Sequence, residues 1–167
     1  MLEEINNIEQ YHFQIQDFII HKKYVLESGN KLVNYLMLNN QDELAKELLK
    51  RLAIHDNSKL EKDEFVKLCN IKNTKNSFIN ANEIVDENLK KSIELHWKHN
   101  SHHPEHFDNV EDMNELDIME MCCDWYARSC QYKTDFLLFV KTRQENRFHF
   151  PDKIFEKIWK YCIILNN

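Results

Sequence analysis

The amino-acid sequence predicts an all-α protein, a compact helical bundle that forms one domain over residues 1–167. The 167 residues contain a single glycine, Gly29, and two prolines, Pro104 and Pro151. Sheets, tight hairpins and nucleotide-cradling loops use glycine heavily, so a chain this poor in glycine favours helices. Apolar residues also recur at three- and four-residue steps over long stretches. The length is enough to bury one hydrophobic core without disulfides.

The first predicted helix runs from about Glu3 to Leu38 and presents one apolar stripe. Gly29 lies on or near this stripe, where the missing side chain would let another helix approach closely. His21 belongs to the same stripe, whose apolar members are Ile15, Phe18, Val25, Leu32 and Leu36.

The second predicted helix starts at Asp42, which is suited to the N-cap position. Its apolar face is formed by Leu44, Leu48, Leu49 and Leu52. Because His55 follows Leu52 by three residues, we expect its ring to face the same interior.

Further helices are predicted along the rest of the chain. Ser58 or Asn57 caps a short helix, Asp86 caps a long one, and Pro151 suits a first helical turn. The polar residues 70–82 read as a loop that could close over a ligand. The predicted helices cover about residues 58–68, 86–100, 113–132, 134–145 and 151–165.

Charge and composition exclude several classes of protein. The net charge of −6 argues against a protein that wraps duplex nucleic acid. No apolar run reaches the length of a membrane span, and the acidic, amphipathic N-terminus is unlike a targeting segment. The five cysteines lack disulfide or zinc-site spacing and read as reduced thiols. We therefore expect a cytoplasmic protein, which could form a homo-oligomer.

Imidazole and carboxylate side chains form the main chemical signal. His55 and Asp56 are consecutive at a predicted helix end, and five of the nine histidines fall between residues 96 and 106. These groups are the ligands that divalent transition metals prefer. The members of the constellation are His21, His55, Asp56, His96, His99, His102, His103, His106, Asp117, Glu120 and Asp124.

Each member also has a simpler explanation. A lone histidine on an apolar face, such as His21, is more often a core residue than a ligand, and Asp56 could merely cap the next turn. Carboxylates at three- and four-residue steps usually face solvent, but Cys123 and Trp125 indicate that Asp124 points inward. His99 and His106 are the expected bystanders.

Basic and amide side chains near the constellation are suited to binding a phosphorylated substrate. Lys59, three residues after Asp56, could donate to a phosphate oxygen. Asn100 shares a helix face with His96, and Arg128 follows Asp124 by one turn. Lys59, Asn100 and Arg128 are therefore the predicted substrate-binding residues.

The order of these residues resembles the HD superfamily of metal-dependent phosphohydrolases, in which a His, a His-Asp pair, further His and a late Asp lie on a helical bundle. The first His corresponds to His21, the pair to His55 and Asp56, and the last Asp to Asp124. The His-Asp-x-x-Lys form and the later histidines are closest to the cyclic-dinucleotide phosphodiesterase branch. His96 and His102-His103 are nearer together than in that branch, whose glycine-containing signature is absent.

The chain also resembles a small uncharacterised phage and bacterial family of about this length. The shared motifs are a His-Lys step, a His-Asp-x-Ser-Lys step, a His-x-x-x-Asn-x-His-His-Pro-Glu run and a Glu-Met-x-x-Asp-Trp step. Here they stand at residues 21–22, 55–59, 96–105 and 120–125. No activity is attached to this second resemblance.

The resemblance to the HD superfamily implies a metal-dependent phosphohydrolase that acts on a nucleotide or another small phosphate ester. One or two ions of Mn, Fe, Co, Ni or Zn would be bound, with Asp56 bridging, Lys59 holding phosphate and Glu120 orienting a histidine. The alternatives are a di-iron oxygenase and a non-catalytic, metal-stabilised binding module. A cysteine nucleophile at Cys122 or Cys123 has no supporting signal. The implied ligands are His21, His55, Asp56, His96, His103 and Asp124, with His102 in reserve.

Overall fold

The structure, a computed structural model, describes residues 8–69 and 87–167. Seven α-helices and no strand lie within these ranges, so the predicted all-α fold is confirmed for this part of the chain. The helices are α1 (Ile8–Leu38), α2 (Asp42–Ile54), α3 (Lys62–Cys69), α4 (Glu87–His99), α5 (Glu115–Tyr132), α6 (Phe136–Arg143) and α7 (Asp152–Asn166).

Short turns of other helical types stand between these helices. The 3₁₀ turns are Asn57–Leu60, Pro104–His106 and Val110–Asp112, and a π-helical turn, Gln144–Phe148, follows α6. The predicted cap at Asp86 and the predicted loop over residues 70–82 lie outside the described residues.

Three predicted helix starts were wrong in detail. Gln41, not Asp42, occupies the N-cap of α2, and Pro151 occupies the N-cap of α7 instead of its first turn. The predicted helix over residues 58–68 is a 3₁₀ turn followed by α3, because the backbone at Glu61 is extended (φ −71°, ψ 145°). This break changes which side chains of α3 face inward.

The chain divides into two compact units. The smaller unit comprises Met1–Ile19 and Asp56–Asn100, and the larger unit comprises Ile20–His55 and Ser101–Asn167. The prediction of one domain stays a prediction.

The smaller unit is built on α3, α4 and the start of α1. The ring of Tyr11 meets that of Phe65 edge-on at 5.5 Å between centroids, and Phe65 is buried. Asn100 at the end of α4 donates to Ser58 Oγ at 2.7 Å, which ties the 3₁₀ turn to that helix. Side chains of the 3₁₀ turn, α3 and α4 are thereby held together.

The larger unit has α5 at its centre. Both faces of this helix are buried over much of its length, including Ile118, Met121 and Cys122. An Asn114 capping box starts the helix: Asn114 accepts from the Asp117 amide, and Asp117 accepts from the Asn114 amide. A helix this extensively buried places its polar side chains in the interior too.

The predicted apolar stripe of α1 is confirmed where it lies in the larger unit. Val25, Leu32 and Leu36 are buried, and His21 is 1 % exposed. In α2, Leu49 is exposed against expectation because it lies about 100° around the helix from the buried Leu48.

Gly29 makes the close approach that its position in the stripe predicts. A Cβ atom at this residue would stand 2.1 Å from Leu52 Cδ1. The absence of a side chain therefore lets α1 and α2 pack close together. No helix within the described residues is long and apolar enough to cross a membrane.

Candidate metal centre

Three ligand-type atoms converge in the interior of the larger unit. His21 Nε2 lies 3.4 Å from His55 Nε2 and 2.9 Å from Asp124 Oδ1. The distance from His55 Nε2 to the same Asp124 oxygen is 3.7 Å. The three side chains come from α1, the end of α2 and α5, and both histidines are at most 2 % exposed. The sequence-predicted residues His21, His55 and Asp124 are thus brought together.

These separations suit the coordination shell of a divalent ion. Ligands about 2.1 Å from a metal stand about 3.0–3.4 Å from one another in octahedral or tetrahedral geometry. Two imidazole nitrogens and one carboxylate oxygen already stand near those distances. The donor set therefore fits a first-row transition metal such as Mn, Fe or Zn.

Glu120 fixes the orientation of His55. His55 Nδ1 lies 2.9 Å from Glu120 Oε1. Burial disfavours the charged form of Glu120, but hydrogen bonds from His102 and His55 outweigh it and hold its pKa well below the usual value. An ionised carboxylate can only accept, so Nδ1 of His55 bears the proton and the lone pair of the neutral ring lies on Nε2.

Asp124 is the second ionised carboxylate of the cluster. Burial opposes its charge, yet the adjacent rings of His21 and His55 lower its pKa well below the ordinary aspartate value. This residue is 9 % exposed. It therefore offers a buried, charged oxygen atom next to two imidazoles.

The histidines that follow α4 approach the same acidic group. His102 Nδ1 lies 3.3 Å from Glu120 Oε1, and its ring centroid is 4.3 Å from that of His55. His55, His102 and Glu120 each offer an atom within 4.8 Å of the others. His103 is half-buried and its ring lies 4.1 Å from that of His102.

Charged and polar side chains surround Glu120. Arg51 Nε donates to Glu120 Oε2 at 2.7 Å, and its terminal nitrogen lies 2.7 Å from Asp117 Oδ1. Ser101 Oγ donates to the same Asp117 oxygen at 2.6 Å. Asp117 was predicted only as part of an acidic stripe. It is buried and contacts both Arg51 and Ser101. Arg51 was not predicted from the sequence, although it lies three residues after the buried Leu48 on the same face of α2.

A second cluster lies in the smaller unit, around Asp56. Asp56 is buried and has a left-handed backbone (φ 58°), an uncommon conformation outside glycine. Its Oδ1 lies 3.3 Å from His96 Nε2, and its Oδ2 accepts from Lys59 Nζ at 2.6 Å. The predicted trio of Asp56, Lys59 and His96 is thus assembled within this unit.

Glu64 completes the smaller cluster and was missed. This side chain is 1 % exposed, and its Oε1 lies 3.0 Å from His96 Nδ1. Burial lowers the pKa of His96 below its ordinary value, although Asp56 and Glu64 oppose the shift. A neutral ring held through Nδ1 presents Nε2 as a ligand. The sequence offered one signal for Glu64, its place four residues before the half-buried Leu68.

The remaining predicted residues have other surroundings. Asn100 Nδ2 lies within hydrogen-bond distance of Ser58 Oγ and of the His96 carbonyl oxygen. Arg128 is half-buried and donates to Gln131 Oε1 at 2.9 Å. His99 and His106, the expected bystanders, are exposed.

The fold and the two clusters define an all-α protein with buried imidazole and carboxylate groups that could bind a divalent metal ion. The model of DUF5662, a family of unknown function, matches residues 10–158, and the chain belongs to this family. The matched range contains every motif from His21 to Trp125. No curated protein and no solved structure matches the chain.

Proposed function

We propose that this protein is a metal-dependent phosphohydrolase that acts on a nucleotide or another small phosphate ester. One observation supports the proposal above all: His21 Nε2, His55 Nε2 and Asp124 Oδ1 converge at ligand-to-ligand distances. The resemblance to the HD superfamily supplies the reaction class, since the same three residues correspond to that superfamily's ligands.

The residues of the larger unit would hold the ion. When bound, a divalent ion lowers the pKa of a water molecule and stabilises negative charge on phosphoryl oxygens. His55 presents a lone pair on Nε2 because Glu120 engages its Nδ1. His21 Nε2 donates to Asp124 in the present arrangement, so cation binding requires that this proton leave.

The smaller unit contains the other residues to which the resemblance assigns a role. Asp56 follows His55 directly in the chain and corresponds to the acidic member of the superfamily's His-Asp pair. Lys59 is held against Asp56 Oδ2 at 2.6 Å, which keeps a positive charge beside that carboxylate. We assign Lys59 to binding a phosphate oxygen and His96 to metal binding through Nε2. Asn100 contacts Ser58 and His96, so we assign it to orienting that segment.

The proposal is tested by metal analysis combined with hydrolysis assays. Purified protein should contain a transition metal and, with added Mn²⁺, release phosphate from at least one member of a panel of nucleotides and phosphate esters. Asp56→Ala should lower kcat/KM by about 100-fold or more, since it removes a carboxylate that the resemblance assigns to metal binding. Asp63→Ala is the matched control because Asp63 is an exposed carboxylate of the same unit.

The same measurements identify the alternatives. Unchanged hydrolysis in Asp56→Ala contradicts the mechanism. Bound metal without turnover of any phosphate ester contradicts the function and leaves a metal-stabilised binding module. Visible or near-ultraviolet absorption that disappears on reduction indicates a di-iron oxygenase instead.

A further inference from the structure

Glu120 receives three donors inside the larger unit. His55 Nδ1 and His102 Nδ1 lie 2.9 and 3.3 Å from its Oε1, and Arg51 Nε lies 2.7 Å from its Oε2. Glu120 is 5 % exposed. One buried carboxylate therefore contacts two imidazoles through the same oxygen and a guanidinium through the other.

Arg51 is itself held on its outer side. Its terminal nitrogen donates to Ser101 Oγ at 2.8 Å and lies 2.7 Å from Asp117 Oδ1. Ser101 Oγ in turn donates to Asp117 Oδ1 at 2.6 Å. Asp117 is fixed in turn by the capping box that starts α5. The planar guanidinium thus links α2, α5 and the residue that precedes His102.

The arrangement determines which ring nitrogen carries the proton in two histidines. A carboxylate offers no proton, so both rings must present Nδ1–H to Glu120 Oε1. In a neutral ring the lone pair then lies on Nε2. His55 and His102 are consequently alike, whereas His21 contacts its carboxylate, Asp124, through Nε2.

We propose that Glu120 and Arg51 form a clamp that sets His55 and His102 in the same tautomer, and that His102 is a metal ligand together with His55. Arg51 touches neither imidazole and is a positioning residue that acts through Glu120. The inference rests on the metal centre proposed above and adds His102 to the ligands of the larger unit. A carboxylate that orients a ligating histidine raises metal affinity by about 10–100-fold.

The tautomers are measured directly by long-range ¹H–¹⁵N correlation spectra of the chelator-treated wild-type protein. The ring signals are assigned by their loss in His55→Gln and His102→Gln. Both rings should show the pattern of a proton on Nδ1. A proton on Nε2 of His102 overturns the clamp, and this measurement needs neither bound metal nor activity.

Metal affinity tests the role of Arg51. In competition with a chromophoric chelator, Arg51→Lys should weaken Zn²⁺ and Co²⁺ binding by about 10–100-fold, because an ammonium group cannot bond Glu120, Asp117 and Ser101 in one plane. Arg143→Lys is the matched control, since Arg143 is a half-buried arginine of the same unit that packs over Phe139. Its affinity should stay within twofold of wild type.

His102 is tested by the absorption spectrum of the Co²⁺ protein. His102→Ala should change the visible bands and lower the affinity, whereas the exposed His99→Ala should leave both unchanged. If Arg51→Lys does not fold, as judged by circular dichroism, the same affinity measurement is made on Glu120→Gln. The NH₂ group of that side chain donates hydrogen bonds, so it cannot accept from Arg51 as a carboxylate oxygen does.

The outcomes separate this inference from the proposed phosphohydrolase. Metal binding that is weakened in Arg51→Lys, in a protein that hydrolyses no ester, supports the clamp and contradicts the function. Unchanged affinity in a folded Arg51→Lys protein overturns the clamp, even where hydrolysis is observed. Failure of the wild-type protein to bind any divalent ion overturns both.

Discussion

At the scale of single residues, the buried carboxylates of the larger unit lower the stability of the folded state. Asp117, Glu120 and Asp124 bring three buried carboxylates onto one face of α5, and Arg51 compensates only two of them directly. Buried charges carry a desolvation penalty that pairing repays incompletely. Such clusters are found mainly where a cation or a reaction requires them.

The same carboxylates predict how stability changes with pH. Burial opposes the charge on Glu120 and Asp124, but the histidines outweigh it, and both pKa values lie below their ordinary range. The folded state therefore binds fewer protons than the unfolded state in acid. The stabilisation is complete above the unfolded pKa values of about 4 and is lost as the pH falls below them.

Urea unfolding of chelator-treated protein checks this prediction. Below about pH 4, the free energy of unfolding should fall by roughly 1.4 kcal/mol per pH unit for each such carboxyl group. Glu120→Gln should show a shallower fall, because one of the groups is gone, while the exposed Glu156→Gln should follow wild type. Equal slopes for Glu120→Gln and wild type would show that Glu120 is not held ionised.

At the scale of elements, the contact between α1 and α2 positions His21 relative to His55. Gly29 lies two turns after His21 in α1, and Leu52 lies three residues before His55 in α2. Because a Cβ at residue 29 would overlap the Leu52 side chain, the spacing of the two helices depends on this glycine.

Gly29→Ala is expected to destabilise the protein by about 1–2 kcal/mol. Overpacking costs about 1–3 kcal/mol, and the better helix propensity of alanine returns up to about 1 kcal/mol. In a Leu52→Ala background the added methyl group meets open space, so Gly29→Ala should there become stabilising. The measurement is a double-mutant cycle of unfolding free energies. Additive effects of the two substitutions would contradict a direct Gly29–Leu52 contact.

The sequence predicts these elements well where apolar periodicity is strong. His21 was placed on the buried face of α1 because Val25 and Leu32 define that face, and the structure agrees. The prediction failed over residues 58–68, where one continuous helix was expected. The extended backbone at Glu61 interrupts the helix, so the helical periodicity starts anew in α3. The sequence therefore did not predict that Glu64 is buried.

Arg51 shows a different limit of sequence reasoning. It follows another basic residue, Lys50, and a charged side chain is normally exposed wherever it lies on a helix. Its half-buried position depends on Glu120 and Asp117, which lie far along the chain. Periodicity reports which face a residue occupies, but the pairing of charges across helices is set by tertiary contacts. The same holds for the choice of His102 among the later histidines.

At the scale of the whole molecule, the proposed ligands are far apart in sequence. His21, His55, His102 and Asp124 come from four segments of the larger unit and meet only when it is folded. An unfolded chain offers no comparable site, so an ion that binds this centre must favour the folded state.

Divalent metal should therefore raise the melting temperature in a concentration-dependent way. At a free metal concentration 100 times Kd, the stabilisation is about 2.7 kcal/mol, which corresponds to a rise of about 5–10 °C for a protein of this size.

Asp124→Asn should remove the rise in melting temperature, because it replaces a charged ligand by a neutral one. Asp135→Asn, at the exposed N-cap of α6, should retain it. Scanning calorimetry with Zn²⁺, Mn²⁺ and Mg²⁺ measures the effect. Mg²⁺ should stabilise least because it prefers oxygen ligands to imidazole. Equal shifts in wild type and Asp124→Asn would place the ion elsewhere, since a centre built on His21, His55 and Asp124 cannot lose its carboxylate without losing affinity.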